Sequence, residues 1–306
     1  MTVATKPVRR RGLARHEILA AYTMLAPWII GIIVFIIAPV IASLVLALTE
    51  WDLLNPARFI GTANFREMFT TDDLIAKSLL NTAYYTFFGV PFQLAAALSM
   101  AVALNQRLPG IRFFRTAFYV PSVTPAVANA VLWVLIYSPE FGIANWFLGA
   151  LHLPTFAWLA DPRVAKPAFI VMSLWGVGGT MVIYLAGLQG IPEHLYEAAS
   201  IDGAGAWNRF RNITIPMLTP TIFFTMIMGI IGSFQVFTGA FVMTQGGPNN
   251  ATLFYVLHLY RNAFQYLRMG YASSMAWVLF VIVAALTYVQ FASSGRWVYY
   301  EGELRS

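Results

Sequence analysis

Residues 196–216 read Tyr-Glu-Ala-Ala-Ser-Ile-Asp-Gly-Ala-Gly-Ala-Trp-Asn-Arg-Phe-Arg-Asn-Ile-Thr-Ile-Pro, a polar and charged string between two long apolar runs. Just ahead of it, Pro192 suits the first turn of a helix and Glu193 favours the positive end of the helix dipole. Nothing from there to Ile201 breaks a helix. Gly203 and Gly205 then allow a sharp bend, because glycine reaches backbone angles that other residues avoid. Trp207 to Ile213 reads as a second short helix, which Pro216 closes before the next apolar run. The expectation is two short helices, bent at glycine and held between two membrane spans. Ala198, Ala199 and Gly203 are small enough for close approach by another protein. Glu197, Asp202, Arg209 and Arg211 supply fixed charges for registry.

The rest of the chain fits this frame. Of its 306 residues 59% are hydrophobic and 10% charged, against about 25% charged in soluble domains; such a composition needs a lipid solvent. Residues 1–17 are a basic tail with Lys6, Arg9, Arg10, Arg11 and Arg15. The charge-free run from Ile18 to Thr49 is too long for a cleaved signal and is read as a retained span at 20–47, with Pro27 and Pro39 as tolerated kinks. Further spans are expected at 78–106, 116–138 (irregular at its start because of Pro121 and Pro125), 167–189, 217–243 and 271–292. Each has the roughly 20 apolar residues that a bilayer core requires. Residues 141–160 are broken by glycine, asparagine and Pro154, and are placed at the membrane surface with Trp146 and Trp158. The fold class is therefore all-α integral membrane. A first span with its loop occupies 18–77, and a five-span core occupies 78–292, including the loop at 190–216. A short tail fills 293–306.

Lys and Arg number 12 on the side carrying both termini and the 190–216 loop, and 7 on the other. The excess puts both termini and that loop in the cytoplasm. Several function classes drop out. No lysine follows a glycine, so no phosphate-binding loop of the Gly-x-x-x-x-Gly-Lys type exists. There is no cysteine for disulfides, metal or nucleophilic catalysis, and His16, His152, His194 and His258 lack ligand spacing. No Asp, Glu, Lys or Arg falls inside the spans as drawn, which argues against a proton-driven carrier. Nothing marks a nucleic-acid partner. A pore without its own energy source, with a cytoplasmic docking loop, implies a separate motor.

Glu197-Ala198-Ala199, Gly203, Ile213 and Pro216 have the spacing of the cytoplasmic coupling loop in binding-protein-dependent ABC importer permeases, with Ile215-Pro216 in place of the usual Leu-Pro. Asn81-Thr82, Phe113-Phe114-Arg115, residues 186–192, Ser233 to Phe237 and Thr244 to Pro248 extend the likeness, and it resembles the carbohydrate branch, in particular the first permease subunit of maltose and glycerol-3-phosphate systems. The resemblance implies an ATPase-coupling role for Glu197, Ala198, Ala199, Asp202, Gly203, Ile213 and Pro216. It also implies a second permease subunit, two ATPase subunits holding ATP and Mg, an extracytoplasmic sugar-binding protein and a prokaryotic plasma membrane. No cofactor is expected on this chain. For a substrate pathway between the fourth and fifth spans, Ser233, Gln235 and Thr238 offer hydrogen-bonding groups, and Gly176 and Gly179, three apart on one helix face, leave space. Asn129 is a further candidate. Helix packing is the competing role for each. The alternatives are a permease for a non-sugar solute, an ATP-independent carrier or channel, and a scaffold that only binds a partner.

Overall fold

The computed structural model describes residues 15–106 and 109–299. Lys6 and Arg9 to Arg11 of the basic tail, Arg107, and the end of the C-terminal tail lie outside the described residues. Four helices are long and apolar enough to cross a membrane: α1 (Glu17–Ala47), α3 (Asp73–Leu104), α10 (Ala206–Phe234) and α12 (Met269–Ser294). Two bent pairs join them, α4 (Ile111–Val123) with α5 (Ala126–Ile136), and α7 (Ala165–Trp175) with α8 (Gly178–Gln189). The shorter helices are α2 (Ala63–Thr70), α6 (Ile143–Ala150), α9 (Glu193–Ile201) and α11 (Tyr255–Tyr260). The only sheet among the described residues is a two-residue antiparallel pair, β1 (Thr49–Glu50) with β2 (Arg58–Phe59).

Helix α3 organises the molecule. Asp72 caps it by accepting the Leu74 N–H at 2.9 Å, and its 32 residues reach about 48 Å at 1.5 Å per residue. Near its C-terminal end, Ala97, Ala101 and Leu104 pack with Met181, Leu188 and Leu218 in one buried cluster. Nearer its start, Tyr85 packs with Phe169, Leu253 and Phe254 in another. Helix α1 stands apart and packs on α12. Its apolar side chains, Met24 and Phe35 among them, are exposed, as lipid-facing residues should be.

Two prolines do not break the helices that contain them. A π turn at Ile33–Ile37, closed by the Ala38 N–H on the Ile33 carbonyl, comes just before Pro39. A second at Phe210–Thr214, closed by the Ile215 N–H on the Phe210 carbonyl, comes just before Pro216. Proline lacks an N–H and crowds the carbonyl four residues back, and the wider turn relieves that crowding. The expected second short helix, Trp207 to Ile213, is therefore one piece with the span after it, and Pro216 closes nothing.

Three other expected spans are corrected. The third is bent by 101°: Val120–Val123 tightens to a 3₁₀ turn at Pro121, and Thr124, which precedes Pro125, is extended, as pre-proline residues prefer. The fourth is bent by 50° after Gly176. Gly176 and Gly179 thus sit on opposite sides of the bend rather than on one helix face. Gly178 is the glycine that matters there, since any Cβ would collide with the Phe118 carbonyl. The fifth does not run on to 243. The Gln235 and Val236 N–H groups bond three residues back, to Gly232 and Ser233, so α10 ends at Phe234 and a π turn forms later at Ala240–Thr244. Of the two tryptophans assigned to the surface, Trp146 is exposed, whereas Trp158 stacks on Tyr137 and donates to Asn145 Oδ1 at 2.8 Å.

Candidate functional site

Helix α9 buries none of its residues. Its C-terminus is closed by a Schellman cap: the Gly203 N–H bonds the Ser200 carbonyl at 3.1 Å, and the Ala204 N–H bonds Ala199 at 2.8 Å. That cap requires a left-handed residue, and Gly203 supplies it with φ 78°. Gly205 has φ −67°, so the turn rests on Gly203 alone. The bend is pinned by Tyr196 Oη and Thr214 Oγ1 at 2.9 Å and by Arg209 donating to Ser200 Oγ at 3.0 Å. Ile213 packs on the core cluster at the end of α3, and Pro216 is half-buried.

The face these contacts leave free holds the expected coupling residues. Glu197, Ala198, Asp202 and Gly203 are exposed and Ala199 is half-buried. Two apolar residues join them: Ile201 is 88% exposed and Trp207 is 67% exposed. Burying side chains of this size contributes roughly 1.5–3 kcal/mol each. The turn therefore presents a rigid, partly apolar, charged face supported from below.

The expected substrate residues have different surroundings. Ser233 is buried, paired with Thr86 Oγ1 at 2.8 Å and with the Ile230 carbonyl, so its hydroxyl serves packing between α3 and α10. Gln235 is exposed and Thr238 half-buried beside the break after α10. Gly176 is exposed and Gly179 half-buried, with no side chain close to either. Asn129 keeps a buried Oδ1 without a hydrogen-bond partner. None of the six lines the cavity of about 300 Å³ beside the middle of α3, where Gln93, Thr180 and Thr225 are the polar residues. Thr225 Oγ1 and Tyr184 Oη are 2.8 Å apart there. Gln93 interrupts an otherwise apolar run, and that was the signal available for finding this cavity.

At the opposite end of α3 lies a segment that reads in sequence as a surface loop. Leu253, Phe254 and Tyr255 are fully buried. Asn81 Nδ2 donates to the carbonyls of Asn250 and Leu253, at 2.8 and 3.1 Å. The Tyr255 N–H donates to Thr82 Oγ1 at 2.9 Å. Lys166 donates to Asn81 Oδ1, and Lys77 to the Asn249 carbonyl. Asp72 Oδ2 accepts from Tyr271 Oη at 2.7 Å and lies 2.9 Å from His258 Nε2. Burial pushes the Asp72 carboxyl up, but the hydrogen bonds from Tyr271 and His258 outweigh it and hold the group below the usual carboxylate range.

A bundle of four long apolar helices and two bent helix pairs, with one polar turn projecting from its end, has the architecture of a multi-pass membrane protein. The family model described as "Binding-protein-dependent transport system inner membrane component" matches residues 78–299, and the chain belongs to that family. It is 42% identical over 293 residues to the probable ABC transporter permease protein YesP of Bacillus subtilis, covering 94% of each chain. It is 36% identical to the lactose transport system permease protein LacF of Rhizobium radiobacter, covering 92% of this chain and 96% of that one. It is 32% identical to the trehalose/maltose transport system permease protein MalF of Thermococcus litoralis, covering 90% and 94%. Among solved structures, a chain of a bacterial alginate ABC transporter, in complex with an alginate pentasaccharide-bound periplasmic protein, shares the fold with a TM-score of 0.80 at 23% identity, covering 91% of this chain and 94% of that one. The protein is a multi-pass permease component of the inner membrane.

Proposed function

We propose that this chain is one permease subunit of an ATP-driven importer for a sugar or sugar-like solute, and that residues 190–216 are its contact with the ATPase. The observation that carries the proposal is the capped turn at Gly203, which is braced by the protein yet leaves Ile201, Trp207 and Glu197 uncovered. Exposed apolar side chains on a rigid, charged support suit a partner surface. In this reading each bent pair is one span. The bundle then has six spans and both termini are cytoplasmic, as the Lys and Arg excess favours. Relatives that carry lactose and trehalose/maltose in their names support a sugar as cargo.

The assembly proposed has a second permease subunit, two ATPase subunits holding ATP and Mg, and a binding protein on the outer side. ATP-driven closure of the ATPases moves α9 together with the start of α10. Because α10 is continuous from Ala206 to Phe234, that movement reaches the cavity at Gln93, Thr180 and Thr225 along one unbroken helix. Sugar then passes between alternately open faces. The test is a mild-detergent pull-down of the chain from its native membrane, with partners identified by mass. Recovery of an ATPase, a second permease and a binding protein is the expected result; recovery of the chain alone, folded, removes the proposal.

A further inference from the structure

A crevice lies remote from both the α3 cavity and the 190–216 turn. It has a volume of about 590 Å³ and lies between the β1–β2 hairpin with α2 on one side and residues 266–271 on the other. Its size is that of a small-molecule site. Ten of its fourteen lining residues precede residue 78, where the family match begins, so it is built mainly by the N-terminal region of this chain.

The lining has a definite chemistry. Two arginines are held by carboxylates: Arg58 on Glu50 at 2.8 Å, and Arg268 on both oxygens of Glu67 at 2.6 Å. Arg268 also lies 4.4 Å above the Tyr271 ring. Asp52 is bonded by Asn55, which donates its backbone N–H and its side-chain amide. The charged groups are mutually paired and nearly balanced, which disfavours a strongly anionic ligand. Planar carboxylate and guanidinium groups arranged this way exchange paired hydrogen bonds with adjacent hydroxyls. Trp51 and Tyr266 complete the wall. Aromatic faces beside paired polar groups suit a ligand with one apolar face and a hydroxyl rim.

We infer that this crevice is a binding site for a neutral saccharide, at the end of the molecule opposite the 190–216 turn. The inference deepens the sugar-import reading and rests on it. A sugar held here is bound away from the α3 cavity rather than in the membrane interior.

The experiment is equilibrium binding of the full chain, purified in mild detergent, to an array of neutral mono- to tetrasaccharides. Retention on at least one glycan is expected. Trp51→Ala and, separately, Tyr266→Ala should weaken it tenfold or more, and Tyr288→Ala, at an exposed aromatic residue outside the crevice, should leave it unchanged. Tyr266 is more than half exposed, so its variant tests the site even if Trp51→Ala misfolds. No retention by wild type, or equal retention by folded aromatic variants, overturns the inference. Loss of uptake in these variants without glycan binding by wild type also overturns it, and marks the crevice as a protein-docking face. The array needs neither ATPase nor ATP. A negative array with intact sugar uptake therefore rejects the crevice alone, whereas absence of sugar uptake by the assembled importer rejects the import reading itself.

Discussion

Residues 190–216 and 244–268 are polar connections of similar length, yet they are built in opposite ways. The second is folded into the protein. Its backbone carbonyls are taken by Asn81 and Lys77, its His258 faces Asp72, and Leu253 to Tyr255 have no exposed surface. The first is braced from behind and open in front, with no ion pair at Glu197 or Asp202 among the described residues and with Ile201 and Trp207 uncovered. Buried polar groups need partners wherever water is excluded, and the 244–268 segment finds them inside the chain. The 190–216 turn finds fewer, which is how a surface completed by another protein differs from one completed by its own fold.

The largest way to break the comparison is at Asp72. Asp72→Ala removes a partly buried carboxylate from both His258 and Tyr271 and should cost about 3 kcal/mol, read as a lower melting temperature in detergent. ATPase affinity per folded molecule should not change. A fall in affinity as large as the fall in stability would mean that the two ends are one unit.

Acid should act on the same network. The Asp72 carboxyl is depressed in the folded state, so its contribution is fully present above the ordinary carboxylate pKa of about 3.9 and is lost as pH falls through the lower folded value. Thermal stability of wild type should be level from pH 7 to about 5 and drop below about 4. Asp72→Asn should flatten that acid limb, and an unchanged limb would remove Asp72 from the account.

Less of the 244–268 design was legible in sequence than of the 190–216 turn, for a physical reason. Gly203 announces a left-handed turn by its identity, and helix signals around Pro192 and Glu193 are local. Asn81 and Asn250 are far apart in the chain, and a string of Gln, Gly, Pro and Asn reads as solvent-exposed until another helix supplies its partners. Long charge-free runs located α1, α3 and α12 closely. Their apolar content was blind to the bends after Pro121 and Gly176, because periodicity and hydropathy do not record direction. Ser233 shows the same limit at a single residue: a hydroxyl in an apolar run reads equally as ligand contact or packing, and Thr86 decides it.

Three substitutions sharpen the open side of the comparison. Gly203→Val places a β-branched residue at φ 78°, with strain of roughly 1–2 kcal/mol confined to the cap. The fold should survive, and transport per ATP hydrolysed should fall severalfold. Gly205→Ala, at φ −67° with open space around it, should leave that ratio unchanged. Equal coupling in both variants would dismiss the cap. Glu197→Ala has the smallest effect on the fold, within about 0.5 kcal/mol, but should reduce co-purification of the ATPase; full recovery would exclude Glu197 from the contact.

The chain contains no cysteine, which makes the central claim directly measurable. Ile201→Cys places one thiol on the exposed rim of the turn. Its labelling by a membrane-impermeant maleimide can be compared in inverted native vesicles with the ATPase subunits present and after their genes are deleted. The docking account predicts labelling at least tenfold slower when the ATPases are present. Equal rates would show that nothing covers the turn, and would contradict the account.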